Sequence, residues 1–185
     1  MTHDVARPVC SLDMMDLSTQ SCYTGTPTAR LHASMWMIAR SPLIYSGSVP
    51  APPVNFKLMT NRLALRINER SSNLKVSYQG RCDCTPAPAN NQFACTLLNP
   101  PGAAPCVAIF TATMPGAACK AVAVANLGLT TAIVHAPWEQ LGIMAVDVDA
   151  PHNVTNVYDG TSEVVSALEV TVLAQGGELL LVCSA

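Results

Sequence analysis

The chain has 185 residues, of which half are apolar and 12% charged, with 10 Lys+Arg against 12 Asp+Glu. That balance excludes a highly charged disordered tail, which would carry far fewer apolar residues, and a basic nucleic-acid-binding surface. Two long stretches lack charge, 84–119 and 121–138, but prolines interrupt the first, and Asn126-Leu127-Gly128 and Pro137 interrupt the second. A membrane-spanning helix needs about 20 unbroken apolar residues, so both stretches read as buried β-structure with turns, and no membrane partner is expected.

The first candidate element is the segment Leu12-Asp13-Met14-Met15, between Cys10 and a Ser/Thr/Gly stretch. Asp13 reads either as a residue at a strand end, where barrel active sites gather, or as an aspartate of a surface turn. Thr26-Pro27 then supplies a cap with proline at the first helical position. Leu31, Met35, Ile38 and Ala39 follow at helical spacing, and Pro42 is expected to end that helix. Residues 42–45 form an apolar run long enough for one buried strand. After the Pro50, Pro52 and Pro53 linker, a second helix is expected over 55–65. Arg62, Arg66 and Arg70 recur at i, i+4 and i+8, as on a solvated face. Helix, short strand, helix is an α/β rhythm, and one such unit cannot close a sheet alone. The Leu43, Ile44, Met35, Ile38 and Trp36 side chains are therefore expected to lose most of their partners; residues 72–185 are expected to fold as a unit and the leading segment is not.

Beyond residue 72 the pattern turns to β. Strands are expected at 74–79, 93–98, 106–112, 120–125, 131–135, 153–158, 167–173 and 178–183. Leu168, Val170 and Val172 alternate with Glu169 and Thr171, and Asn126-Leu127-Gly128, Asp159-Gly160 and Gln175-Gly176-Gly177 supply turns. Short strands at this spacing predict an antiparallel sandwich, with 82–105 as a loop-rich insertion.

Eight cysteines, Cys10, Cys22, Cys82, Cys84, Cys95, Cys106, Cys119 and Cys183, point to an oxidising compartment. The sequon Asn153-Val154-Thr155 points the same way. Met1-Thr2-His3-Asp4 lacks the features of a secretory signal, so the expectation is the C-terminal piece of a longer secreted protein. Cys82, Cys84, Cys95 and Cys106 could be read as zinc ligands, but zinc ribbons space their pairs more widely. Disulfides or buried thiols are favoured, and no metal or cofactor is expected. His32, His135 and His152 do not stand at ligand spacing and read as packed or surface residues. Neither a nucleophile elbow nor a phosphate-loop pattern is present. Asp13 and Asp16, the acids between residues 5 and 68, do not face each other across a glycosidic bond as a catalytic pair must.

Leu12-Asp13-Met14-Met15, followed by Ser34-Met35-Trp36-Met37-Ile38-Ala39-Arg40-Ser41-Pro42-Leu43-Ile44, resembles the α-galactosidase (melibiase) family of glycoside hydrolases. Thr60-Asn61 through Asn68-Glu69, the 120–128 strand, Val157-Tyr158-Asp159-Gly160 and the 173–181 segment are similar to later patterns of that family, in the same order. The resemblance implies a fold: an α/β remnant of a (β/α)8 barrel over 1–71, its last quarter, followed by an all-β antiparallel sandwich over 72–185. It implies hydrolysis of terminal α-galactosides with retention, by two aspartates on barrel strands upstream of the matched part, so that this chain alone would be inactive. Asp13 would bind sugar hydroxyls and Met14 would line the pocket. The implied partner is a carbohydrate, and the implied location extracellular or lysosomal. The other reading is a non-catalytic β-sandwich module that binds carbohydrate or a protein.

Overall fold

The computed structural model describes residues 15–16, 26–46, 50–79, 84–86, 93–95, 106–116, 118–128, 131–139, 141–143 and 150–184. Among them run, in chain order, β1 (Met15–Asp16), α1 (Thr26–Ala39), β2 (Tyr45–Ser46), α2 (Pro53–Met59), α3 (Arg62–Arg70), β3 (Ser72–Gln79), β4 (Cys84–Pro86), β5 (Phe93–Cys95), β6 (Val107–Thr113), β7 (Cys119–Asn126), β8 (Ala132–Ala136), β9 (His152–Asn156), β10 (Ser162–Val165), β11 (Leu168–Val172) and β12 (Gly177–Ser184). None of the described helices is long and apolar enough to cross a membrane.

The expected helix boundaries need two corrections. Helix α1 stops at Ala39, before Pro42 can act. Arg40 takes a left-handed conformation (φ 55°), its N–H donates to Met37 O, and the Ser41 N–H donates to Trp36 O. This is the Schellman closure of a helix end, here with arginine where glycine is usual. The Arg40 side chain bonds the carbonyls of Asn68 and Glu69, tying the end of α1 to the end of α3. The single helix expected over 55–65 is two. Thr60 closes α2 by donating from both N–H and hydroxyl to Phe56 O. Asn61 restarts the chain, its side chain accepting from Leu63 N and Ala64 N at 3.0 Å each. Side-chain capping of this kind satisfies N–H groups that a helix start leaves open. Arg62, Arg66 and Arg70 are all exposed, as expected of a solvated face.

All eight expected strands are present, mostly within one or two residues; of the strand expected at 93–98, residues 96–98 lie outside the described residues. The 42–45 run forms its strand later, at Tyr45–Ser46, and β4 and β10 are additional. Six strands form one antiparallel sheet in the order β10-β9-β12-β7-β6-β3, and β11 pairs with β8 in a second. The two sheets face each other across a core that includes Val107, Ile109, Val122, Val124, Val134, Leu168, Val172, Leu180 and Val182. Asn126, 1% exposed, ties this core to its loops: its amide donates to Val172 O and Leu173 O, and its carbonyl accepts from Gly128 N. A disulfide joins Cys119 of β7 to Cys183 of β12. Cys106 is also disulfide-bonded, which takes it out of any zinc-ligand set. In the 82–105 segment, Cys84 pairs in register with Cys95 as β4 meets β5.

The opposite face of the large sheet carries the helices. Met37, Ile38, Ala64 and Ile67, none more than 1% exposed, pack with Ala112, Ala121, Ala123, Val157 and Leu179. Ile38 is therefore fully partnered, contrary to expectation, because the outer face of the sheet and α3 cover it. Ile44, by contrast, is 53% exposed.

Candidate functional site

Strands β1 and β2 run parallel, with Met15 opposite Tyr45 and Asp16 opposite Ser46. Parallel neighbours need a crossover, and α1 lies in that connection. Asp13 and Met14, the substrate-binding candidates, lie outside the described residues; the strand that follows them in the chain begins at Met15. Cys82 also lies outside. The other singled-out residues separate: His135 is exposed beside Glu169 (3.4 Å). His32 is stacked on Trp36. His152 is buried in β9, against Trp138 and bonded to Ala150 O. These positions agree with packed and surface roles, and no group of three or more potential metal ligands occurs among the described residues.

A polar constellation joins α1 to the sandwich. Arg30, in the first turns of α1, pairs with Asp159 and with Glu178, reaching Glu178 at 3.1 and 3.2 Å. The Asn156 amide adds a bond to Glu178 Oε2 at 3.0 Å, while its carbonyl oxygen caps the turn through Tyr158 N and Asp159 N. The Arg30 guanidinium lies 5.7 Å from the centre of the Tyr158 ring, within cation–π range. Ser34 Oγ and Tyr158 Oη share a bond of 3.1 Å.

Burial lowers the Arg30 pKa, but the hydrogen bond to Asp159 and the charge and hydrogen bond of Glu178 together outweigh it, holding the group above its ordinary value. Burial pushes the Tyr158 phenol well above its ordinary value, partly offset by the Ser34 bond, so the phenol stays protonated. Away from this cluster, burial lowers the Lys120 pKa, with a smaller push from Lys75.

Chemically, this arrangement is a clasp. Both Glu178 oxygens are engaged, and the cation above them is permanently charged, so the arrangement holds α1 against the sandwich. A recess of about 250 Å³ beside it is lined by Pro27, Arg30, Leu173, Gly176, Gly177 and Glu178. Gly177 is required there: a Cβ on it would stand 2.5 Å from Leu31 Cα. Sequence reading missed this clasp. Its partners stand 129 and 148 residues apart, and the available hint was that Asp159 falls in the Val157–Gly160 turn already singled out.

The fold is one found within glycoside hydrolases. In solved structures it matches a GH27 β-L-arabinopyranosidase from Geobacillus stearothermophilus, with a TM-score of 0.72 and 16% identity over 95% of this chain and 37% of that one. It also matches α-galactosidase I from Mortierella vinacea (TM-score 0.71, 17% identity, 95% of this chain and 39% of that one). A third match is the Saccharomyces cerevisiae α-galactosidase solved with raffinose (TM-score 0.67, 11% identity, 95% and 47%). The chain thus spans less than half of each of these enzymes. No protein-family model matches the sequence, nor does any curated protein.

Proposed function

We propose that this chain is the C-terminal portion of an α-galactosidase-like glycoside hydrolase, with 1–71 as the last quarter of a (β/α)8 barrel and 72–185 as the sandwich that supports it. The observation that carries this reading is the parallel β1–α1–β2 unit, docked through α1 on an antiparallel sandwich, in a chain whose fold matches such enzymes along almost its whole length. In this reading Asp13 accepts hydrogen bonds from sugar hydroxyls, which orients the ring, and Met14 lines the pocket. The nucleophile and the acid/base come from barrel strands upstream of the matched part, because retaining hydrolysis needs two carboxylates flanking the scissile bond. The disulfide supports an extracellular or lysosomal setting.

The test has two arms. The 185-residue chain should not turn over an aryl α-galactoside. Turnover that survives purification and is lost in Asp13→Asn would mean that the chain carries its own catalytic site, and would overturn the proposal. Joined to the upstream barrel of a solved relative, the chain should support hydrolysis, and Asp13→Asn should lower kcat/KM about 10- to 200-fold, the equivalent of one charged hydrogen bond. An unchanged value would assign Asp13 to a turn. Failure of every barrel fusion, with carbohydrate binding retained by the chain, would favour the non-catalytic module.

A further inference from the structure

We propose that Asn153 is an attachment site for an N-linked glycan, added when the chain passes through a secretory pathway. Asn153-Val154-Thr155 has the acceptor pattern Asn-X-Ser/Thr, and the fold gives that pattern an open position. Side chains alternate along β9. Val154 is buried in the core between the two sheets, so Asn153 points to the other side, and it is exposed. There it belongs to a row across four strands: Val164 of β10 pairs with Asn153, Asn153 with Cys183 of β12, and Cys183 with Cys119 of β7.

The row lies on the face that carries the helices: its Cys119 end packs against their core, and its Asn153 and Val164 end is exposed. Val164 is 62% exposed, and Cys119 and Cys183 are only partly buried. A sugar on Asn153 would lie beside the exposed Val164 side chain and the disulfide, and would displace nothing that is packed. Thr155, the hydroxyl residue of the sequon, is held by Ser162 Oγ at 2.8 Å in the folded sheet, so the sequon must be read before β10 docks.

Chain order allows this. Both strands that flank β9, β10 and β12, follow it in sequence, so β9 waits unpaired while the rest of the chain is made. The disulfide that secures β12 to β7, one register position from Asn153, cannot form until Cys183 is present. Acceptor and cross-link thus mature in order, in the same oxidising compartment.

The transfer balances without any change of oxidation state. Asn153 Nδ2 bonds to C1 of the N-acetylglucosamine at the reducing end of a polyprenyl-pyrophosphate-linked oligosaccharide. The C1–O bond to pyrophosphate breaks, the lipid pyrophosphate leaves with the bonding pair, and the amide proton passes to a base of the transferase.

The experiment expresses the full chain behind an appended secretory leader in a eukaryotic host, beside a co-expressed carrier glycoprotein, and examines total cell and secreted material. Because transfer precedes folding, variants that fail to fold still report. The chain and Thr155→Ser should show a slower band that peptide N-glycosidase collapses, leaving aspartate at 153 by peptide mapping. Asn153→Gln and Thr155→Ala should lose that band. An unmodified Asn153 in chains that carry the Cys119–Cys183 disulfide, while the carrier is glycosylated, would overturn the proposal. So would a glycosidase-sensitive shift that survives Asn153→Gln.

Discussion

Toward β8 and β11 the six-stranded sheet presents Val107, Ile109, Val122, Val124, Leu180 and Val182, whereas toward the helices it presents Ala112, Ala121, Ala123 and Leu179. Strand β7 states the difference in five consecutive residues, Ala121-Val122-Ala123-Val124-Ala125. Branched side chains fill the space between two sheets, about 10 Å apart, while alanines let α1 come close. Where β12 begins, even alanine is too large, and Gly177 meets Leu31. The first face closes by apolar packing with a buried polar tie, from Asn126 to Val172 O and Leu173 O. The second carries more polar fittings: the Arg30 clasp, the Asn61 cap, and Asn68, whose amide donates to Trp36 O and Ser41 O. This difference predicts that the sheet and its inner core form a self-sufficient body, with the helices dependent on one outer face of it.

The largest expected effects come from truncating each core in turn. Leu180→Ala and Ile67→Ala should each cost about 2–5 kcal/mol by leaving a cavity. Leu180→Ala should lower amide protection throughout the chain, while Ile67→Ala should lower it mainly in α1 and α3. Equal spreading of the loss in both variants, by native-state hydrogen exchange, would break the comparison.

Next comes Gly177→Ala, where the new methyl must push α1 away. Overpacking of this kind costs about 1–3 kcal/mol, and urea melts followed by a helix-sensitive signal should show it, with the β8–β11 pair unaffected. Arg30→Ala removes the clasp. Its side chain is 22% exposed and that of Asp159 44%, so solvent screening trims the loss to about 1–2 kcal/mol, below that of a buried charged network. A neutral result would make the clasp ornamental. Smallest is Asn61→Ala, at about 1 kcal/mol, for loss of the α3 cap and of the bond to Val157 O, read as a shift in urea midpoint.

Much of this architecture was legible in the sequence because period and turn chemistry are local. The alternation in 168–172 and the glycine turns marked strands that the structure contains. β10 escaped because Ser162-Glu163-Val164-Val165 is largely exposed and carries no alternation of buried and open positions. The α2/α3 break escaped because Asn61 reads as one more polar residue on a helix until its side chain is seen to turn back on Leu63 and Ala64. The partners of Ile38 were missed for a different reason: periodicity shows which face is apolar, but not what covers it, and the sheet that does so is encoded 70 or more residues later. The candidate sugar contacts rest on a motif, Asp13-Met14, and spacing alone did not single them out. The Arg30–Glu178 pairing had no spacing rule to announce it.

Native-state hydrogen exchange on the unmodified 185-residue chain tests most directly the claim that the helices depend on the sheet. Amides of α1 and α3 should open in a sub-global step of lower free energy than those of β7, β9 and β12, because the helices can leave while the sheet core stays closed. Gly177→Ala should lower the first value and leave the second unchanged. A single opening free energy shared by α1, α3 and the central strands, falling together in Gly177→Ala, would contradict the account and make the whole chain one cooperative body.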